Sequence, residues 1–187
     1  MVGSHLLATK FVQYYMTEKD KIEHIITTGR SPMTFNDYTN YIFLVAPIGF
    51  VAIGFSMMYN YTKFHSGLPM LILSILFISF GIFFTFFVLN RLNDNITFRS
   101  ISTISDDNMD NVAEKLRQNF KLQRIDINKG AKRIVAFTKI TAFSWGEQLT
   151  LVFDKDCILI NSRPSGSRQP ITILKDRQNI KKLKQML

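Results

Sequence analysis

The chain has very little cysteine and histidine, the residues on which many catalytic and metal sites depend. Its 187 residues include one Cys and three His. A single Cys excludes an intramolecular disulfide framework and a zinc site built from several thiolates. The histidines, His5, His24 and His65, all precede residue 91. The C-terminal half therefore lacks the imidazole that Ser-His and Cys-His catalysis require.

Motifs for nucleotide and metal chemistry are missing as well. The sequence contains neither a Walker A loop nor a GxGxxG pattern. Asp154 and Asp156 are paired carboxylates, but Lys155 separates them, and we interpret the three residues as a hairpin turn between strands. We therefore expect no catalytic residues, no metal site and no cofactor, and we expect that the protein is not an enzyme.

Charge is absent from two long apolar stretches, residues 41–59 and 68–89. As helices they would extend roughly 28 and 33 Å, which matches the bilayer's apolar core of about 30 Å. A helix satisfies its own backbone hydrogen bonds in lipid. The alternative, two buried core helices, would need a larger soluble domain to cover them. The sequence predicts two transmembrane helices.

Only residues 60–67 connect the two stretches, so we expect an antiparallel hairpin with a short external loop. Small residues four apart offer points of close helix approach, namely Ala52 and Ser56, and Gly81 and Thr85. Ordinary transmembrane composition is the alternative explanation for them. Neither stretch contains Asp, Glu, Lys, Arg or His, which argues against an ion or proton pathway.

The distribution of Lys and Arg predicts the orientation. The connector carries Lys63 as its only permanent cation, whereas the flanks of the hairpin are rich in Lys and Arg. Cytoplasmic segments carry the excess of these residues. We expect a multi-pass protein of the bacterial inner membrane with both termini in the cytoplasm, where the lone Cys157 suits a reducing compartment.

Residues 1–40 form a predicted juxtamembrane segment that includes an amphipathic helix over residues 5–28. Apolar residues recur there at helical spacing, and Gly29 offers a stop. Such a helix can rest among lipid headgroups. Its apolar face can equally pack against the C-terminal domain or a partner, and the sequence leaves both alternatives open.

Residues 91–187 hold 18 of the 23 Lys and Arg and 10 of the 14 acidic residues, a local net charge of +8. Alternating and β-branched segments predict strands at 95–105, 122–128, 132–140, 148–154, 157–162 and 171–174. Helices are predicted over 106–120, capped by Ser105, and from about Asp176 to the end. The expected fold class is an α+β membrane protein, with an N-terminal amphipathic helix, a transmembrane hairpin and a cytosolic antiparallel sheet whose two helices lie on one face.

Two sets of residues in this domain are candidates for binding anions. In the loop after residue 162, Arg forks and exposed amides suit a phosphate or carboxylate ligand; the candidates are Arg163, Ser165, Gly166, Ser167 and Arg168. The terminal helix carries cations suited to anionic lipid headgroups; these are Lys175, Arg177, Lys181, Lys182 and Lys184. A solvated loop and a solvated basic face are the alternatives. Nucleic acid is not expected, because no aromatic residues interleave with these cations.

This layout is similar to that of several bacterial membrane proteins, and to membrane effectors of anti-phage signalling systems. In those effectors a cytosolic domain senses a nucleotide and the helices then disrupt the inner membrane. The likeness lies in the architecture, and no residue role is carried over from it. Two functions follow: a non-catalytic binding or scaffold subunit, acting as a homo-oligomer or in a membrane complex, and a membrane effector gated by an anionic ligand.

Overall fold

The computed structural model describes residues 16–64, 67–102, 108–140, 146–165 and 175–187. The helices are α1 (Glu18–Thr28), α2 (Phe35–Thr39), α3 (Val45–Phe64), α4 (Leu68–Ile96), α5 (Met109–Asn119) and α6 (Lys175–Met186). The strands are β1 (Arg99–Ser102), β2 (Leu122–Asn128), β3 (Arg133–Thr138), β4 (Glu147–Phe153) and β5 (Cys157–Pro164). The chain divides into two compact units. Residues 37–93 form the hairpin unit, and the described residues up to 36 together with 94–187 form the sheet unit.

The hairpin unit consists of two helices that are each long and apolar enough to cross a membrane. Both are longer than the sequence predicts, because α3 continues to Phe64 and α4 continues to Ile96. The connector is correspondingly shorter than the predicted range 60–67. A 3₁₀ turn, Asn40–Leu44, precedes α3. Pro47 lies in the first turn of α3, where its missing N–H disturbs no helical hydrogen bond.

The sheet unit is built on five antiparallel strands in the order β1-β5-β4-β3-β2. The central pair, β4 and β5, aligns Leu151 with Ile160 and Val152 with Leu159. Because side chains alternate between the two faces of a strand, this register sends Leu151 and Ile160 to one face and Val152 and Leu159 to the other. The predicted antiparallel sheet is thereby confirmed.

Helices α5 and α6 cover the first face of the sheet. Their apolar residues pack against alternate residues of β3, β4 and β5 in one buried cluster, made up of Val112, Ala113, Leu116, Phe120, Ile134, Ala136, Leu149, Leu151, Phe153, Ile158, Ile160, Ile180 and Leu183. In α5 the positions Val112 and Leu116, one turn apart, place an apolar stripe on the sheet. This cluster is the main core of the unit.

The two predicted helices of this domain, α5 and α6, thus lie on one face as expected, and the second face is covered by α1. Ile22 and Ile25 of α1 pack with Val152, Leu159 and Phe98 in a second buried cluster. The sequence left open whether the N-terminal amphipathic helix rests on lipid or packs on the domain. For residues 18–28 the structure shows the second: the apolar face of α1 packs on the sheet. Predicted helical residues 5–15 lie outside the described residues.

Some predicted boundaries are wrong. The strand predicted over 95–105 is β1, which begins only at Arg99 because α4 continues through Ile96. The N-cap of α5 is Asn108 and not Ser105: its Oδ1 accepts a hydrogen bond from the Asn111 N–H at 2.8 Å. Residues 103–107, and the predicted strand 171–174, lie outside the described residues.

Candidate functional site

The carboxyl end of α4 lies within the sheet unit, where Asn161 of β5 caps it. The Asn161 side-chain amide, Nδ2, lies 2.7 Å from the Thr97 carbonyl oxygen and 3.2 Å from those of Asp94 and Asn95. The last four carbonyl groups of a helix lack partners within the helix. Asn161 is only 3% exposed, so its amide satisfies these acceptors where water cannot.

Charged side chains surround the same helix end. The Asp94 carboxylate lies 3.7 Å from an Arg99 guanidinium nitrogen and 3.3 Å from one of Arg177. Beside it is a small pocket lined by these three residues together with Thr97, Asn161, Ser162, Asp176 and Ile180. We call Asp94, Thr97, Arg99, Asn161 and Arg177 the clamp. The positive charges of Arg99 and Arg177 offset the negative charges of Asp94 and Asp176 around the pocket. The arrangement is therefore suited to holding the end of α4 in place.

The turn after α1 also bonds to this helix end. The Ser31 N–H donates to the Ile96 carbonyl at 2.7 Å, and the Phe98 N–H donates to the Gly29 carbonyl at 2.8 Å. Gly29 has a φ of 65°, a left-handed conformation that glycine adopts without steric penalty at a helix C-terminus. The residues from 94 to 98 are therefore bonded both to the turn after α1 and to β5.

The predicted anion loop is described only in part. Arg163 is half-buried on the second face of the sheet, and its guanidinium donates to the Gln148 side-chain oxygen at 3.4 Å. The Ser165 N–H donates to the Gly146 carbonyl at 3.2 Å. Gly166, Ser167 and Arg168 lie outside the described residues. Among the described candidates, Arg163 and Ser165 each bond to neighbouring parts of the sheet.

The cations of α6 lie on two flanks of the helix. Arg177, Lys181 and Lys184 are exposed and, at spacings of four and three residues, lie on one flank. Lys182 is on the other flank, where its ammonium donates to the Asn119 carbonyl and lies 4.9 Å from the Phe120 ring centroid. Lys175 is half-buried. The five cations therefore do not form one continuous face.

The helices of the hairpin meet through glycine. A Cβ placed on Gly54 would lie 2.6 Å from Ile78 Cγ1, and one placed on Gly81 would lie 2.6 Å from Val51 Cγ2. The predicted residue Gly81 thus faces α3, and Thr85 donates from Oγ1 to the Gly81 carbonyl at 2.8 Å. Ala52 and Ser56, in contrast, are exposed. On α3 it is Gly54 that contacts α4, and Gly54 lies half a turn away from Ala52 and Ser56.

The sequence does not predict two residues that make these contacts: Asn161, which caps α4, and Gly54, which lies between the helices of the hairpin. Asn161 is a polar residue within an apolar strand, and this contrast was the available signal for a buried structural role. Gly54 was one of several glycines in an apolar segment, with nothing in the sequence to separate it from Gly49. In the part of the chain that the structure describes, no group of three or more His, Cys, Asp or Glu side chains could hold a metal ion.

Comparison of the chain with protein-family models, with curated proteins and with solved structures gives no match. Function must therefore be inferred from the described residues themselves: the exposed apolar surface of α3 and α4, the clamp, the glycine contact of the hairpin and the cations of α6.

Proposed function

We propose that the protein is a two-pass protein of the bacterial inner membrane whose sheet unit acts in the cytoplasm as a non-catalytic binding or scaffold subunit of a membrane assembly. The observation that carries the proposal is the outward-facing apolar surface of α3 and α4. Phe83 and Phe86 of α4 are 69% and 63% exposed, and Ile48 and Phe55 of α3 are 55% and 58% exposed.

This exposure is hard to reconcile with water as the solvent. Soluble monomers rarely present continuous apolar patches of more than a few hundred square ångströms, and each exposed Å² of apolar surface costs about 25 cal/mol in water. In a bilayer the same side chains meet acyl chains of equal polarity. Both helices have the length to extend across its apolar core.

A scaffold role is supported by the way in which the polar groups of the sheet unit are used. In the clamp, Asp94 is bonded to two guanidinium groups, and the Asn161 amide is bonded to backbone carbonyls. These groups stabilise the fold. Gating by a ligand would call for guanidinium groups that are free to bind it at Arg163 and Arg168. Arg163 uses one of its guanidinium donors to bond Gln148 of β4, which ties the side chain to the sheet, and the binding subunit is the function we propose.

Substituted-cysteine labelling tests the membrane topology. In a Cys157→Ser background, one variant carries Lys63→Cys at the end of α3 and a matched variant carries Lys155→Cys in the turn before β5; both lysines are exposed. An impermeant maleimide added to spheroplasts should label the Lys63→Cys variant alone, and both variants after lysis. Labelling of the Lys155→Cys variant in intact spheroplasts, or release of the chain by carbonate, would overturn the topology.

Cross-linking in the native membrane tests the scaffold role. A photoreactive residue replacing exposed Gln123 of β2 should give a reproducible adduct, either with a second copy of the chain or with one partner. The matched control places the photoreactive residue at buried Leu149, where the fold shields it. A chain that stays monomeric at every exposed position tested contradicts the role. Collapse of the membrane potential on adding cyclic nucleotides would favour the effector instead.

A further inference from the structure

The exposed surface of α6 carries positive charge and no negative charge. Within α6, which the structure describes completely, Asp176 is the only acidic residue, and it is 5% exposed. The uncharged residues Gln178 and Gln185 share the exposed surface with the lysines. No acidic neighbour on the helix itself therefore offsets the lysine charges.

Packing of α6 determines which cations face outwards. Ile180 and Leu183 are buried against the sheet, and this fixes the rotation of the helix about its axis. At 100° per residue, Arg177, Lys181 and Lys184 lie within about 60° of one another. We call these three residues the basic stripe.

The three members of the stripe differ in their availability. Arg177 is bonded to Asp94 of the clamp at 3.3 Å. Lys181 and Lys184 are exposed, and neither takes part in the ion pairs formed within the part of the chain that the structure describes. Lys129 and Arg133, by comparison, are paired with Asp110 and Glu18 at 2.7 and 2.6 Å. Among the described residues, the stripe thus presents two ammonium groups that form no ion pair.

We propose that Lys181 and Lys184, with Arg177 beside them, bind the anionic headgroups of the bilayer in which the hairpin is inserted. The proposal rests on the membrane location argued above and adds a lipid contact to it. Lysine is a flexible point charge that attracts phosphate without needing a fixed geometry, as a fluid headgroup layer requires. The hairpin keeps the sheet unit tethered to that layer, so the lipid is always present at high local concentration.

Lysine footprinting of the full chain in lipid nanodiscs tests the contact. The chain is labelled with an amine-reactive reagent in discs of phosphatidylcholine, and in discs that contain roughly a third of phosphatidylglycerol. Lys181 and Lys184 should react at least about threefold more slowly in the anionic discs, and high salt should restore their reactivity. Lys155, exposed in a turn with carboxylates on both sides, serves as the control and should not change.

A matched pair of variants gives a second measurement. Photoactivatable phosphatidylglycerol should cross-link to the 175–187 peptide, and Lys181→Gln with Lys184→Gln should lower the yield by up to roughly 25-fold, about fivefold for each lysine. The control variant, Lys155→Gln, should leave the yield unchanged. Lys182→Gln should also change it little, because Lys182 is bonded to Asn119.

The outcomes separate this proposal from the proposed function. A chain that does not enter the discs contradicts the membrane location itself. A chain that enters them, yet labels equally at Lys181 in both lipids, overturns the headgroup contact alone. Slower labelling caused by added RNA or by a co-purified acidic protein, with no dependence on lipid charge, also overturns it and assigns the stripe to that partner.

Discussion

The core of the sheet unit and the contact between α3 and α4 are built from different kinds of residue. In the sheet unit most of the large, fully buried side chains are apolar, among them Leu116, Ile134 and Leu151. Where α3 and α4 meet, the hairpin unit buries small residues, including Gly54, Ser74 and Gly81; larger buried residues, Val88, Arg91 and Leu92, follow only towards the end of α4. Most of the exposed large apolar residues of the hairpin unit are Phe, Ile and Leu.

On the membrane location proposed above, the two units are stabilised by different forces. Removing apolar surface from water stabilises the sheet unit. Between helices surrounded by lipid that driving force is absent, and association depends on close packing and dispersion. Small residues let the α3 and α4 backbones approach closely, which is why glycine lies at their contact. Substitutions of the same type should therefore have different effects in the two units.

The largest difference is expected for truncation of a large apolar residue. Leu151 is 0% exposed, so Leu151→Ala should lower the free energy of unfolding of the sheet unit by about 2–5 kcal/mol. Ile75 of α4 is 50% exposed, and Ile75→Ala in lipid should have little effect on the hairpin. Hydrogen exchange of the β3 and β4 amides measures the loss of stability in the sheet unit, and exchange of the α4 amides measures it in the hairpin. Equal losses would mean that both units are solvated by water.

The next effect concerns the helix end that the sheet unit binds. Asn161→Ala leaves buried carbonyls of α4 without their donor and should lower the stability of the sheet unit by about 1–3 kcal/mol. Exchange of the amides from 94 to 102 should increase most. The control is Gln123→Ala on the exposed edge of β2, for which no comparable change is expected. A uniform effect across the sheet would argue that Asn161 acts through core packing and not through the cap.

Glycine substitutions test the hairpin contact. The Cβ of Gly81→Ala would lie 2.7 Å from the Pro47 carbonyl oxygen and 2.9 Å from the Val51 nitrogen, and these are backbone atoms that cannot rotate away. Separating the helices should cost about 1–3 kcal/mol, measured by thermal unfolding in detergent with far-UV circular dichroism. At Gly49, Cβ would meet nothing within 4 Å, so Gly49→Ala should be neutral or stabilise α3. Equal behaviour of the two variants would contradict the observed packing.

The fold was predictable where the signal is local. Alternation placed β2 at its observed bounds and β3, β4 and β5 within two residues at each end, and apolar length identified α3 and α4. The start of β1 was missed because Asn95 and Ile96 are helical, an outcome that depends on hydrogen bonds from Asn161, 66 residues away from Asn95. Local pattern carries no information about such a distant partner. For the same reason, the sequence pattern did not decide whether the apolar face of α1 packs on lipid, on the sheet or on a partner.

Less of the candidate site could be predicted. Composition identified the cations of α6, but the sequence cannot tell that Lys182 is bonded to Asn119 or that Arg177 is bonded to Asp94. Those contacts depend on how α6 packs against β5 and α5. The clamp was missed altogether, since its members come from α4, β1, β5 and α6 and meet only in the folded unit.

The smallest effect is expected at the start of α1, the helix that separates the second face of the sheet from the surroundings. Thr17 and Asp20 form reciprocal hydrogen bonds: the Asp20 N–H donates to Thr17 Oγ1 at 3.2 Å, and the Thr17 N–H donates to the Asp20 carboxylate at 3.0 Å. The side-chain and backbone hydrogen bonds of Thr17 lower the pKa of Asp20 below its usual value. This contribution to stability is therefore complete above the ordinary Asp pKa and is lost as the pH falls through the lower pKa of the folded state.

Titration of the Asp20 carboxyl carbon by NMR tests this capping box. Its midpoint should lie below the ordinary aspartate value in the natural chain and rise towards that value in Thr17→Ala. In the same variant, loss of the N-cap should cost about 1 kcal/mol and should increase amide exchange at the start of α1 only. The control Thr27→Ala changes a hydroxyl that bonds to carbonyls within α1 and should leave the midpoint of Asp20 where it was. If the midpoint of the natural chain is already ordinary, the capping box is not formed in solution.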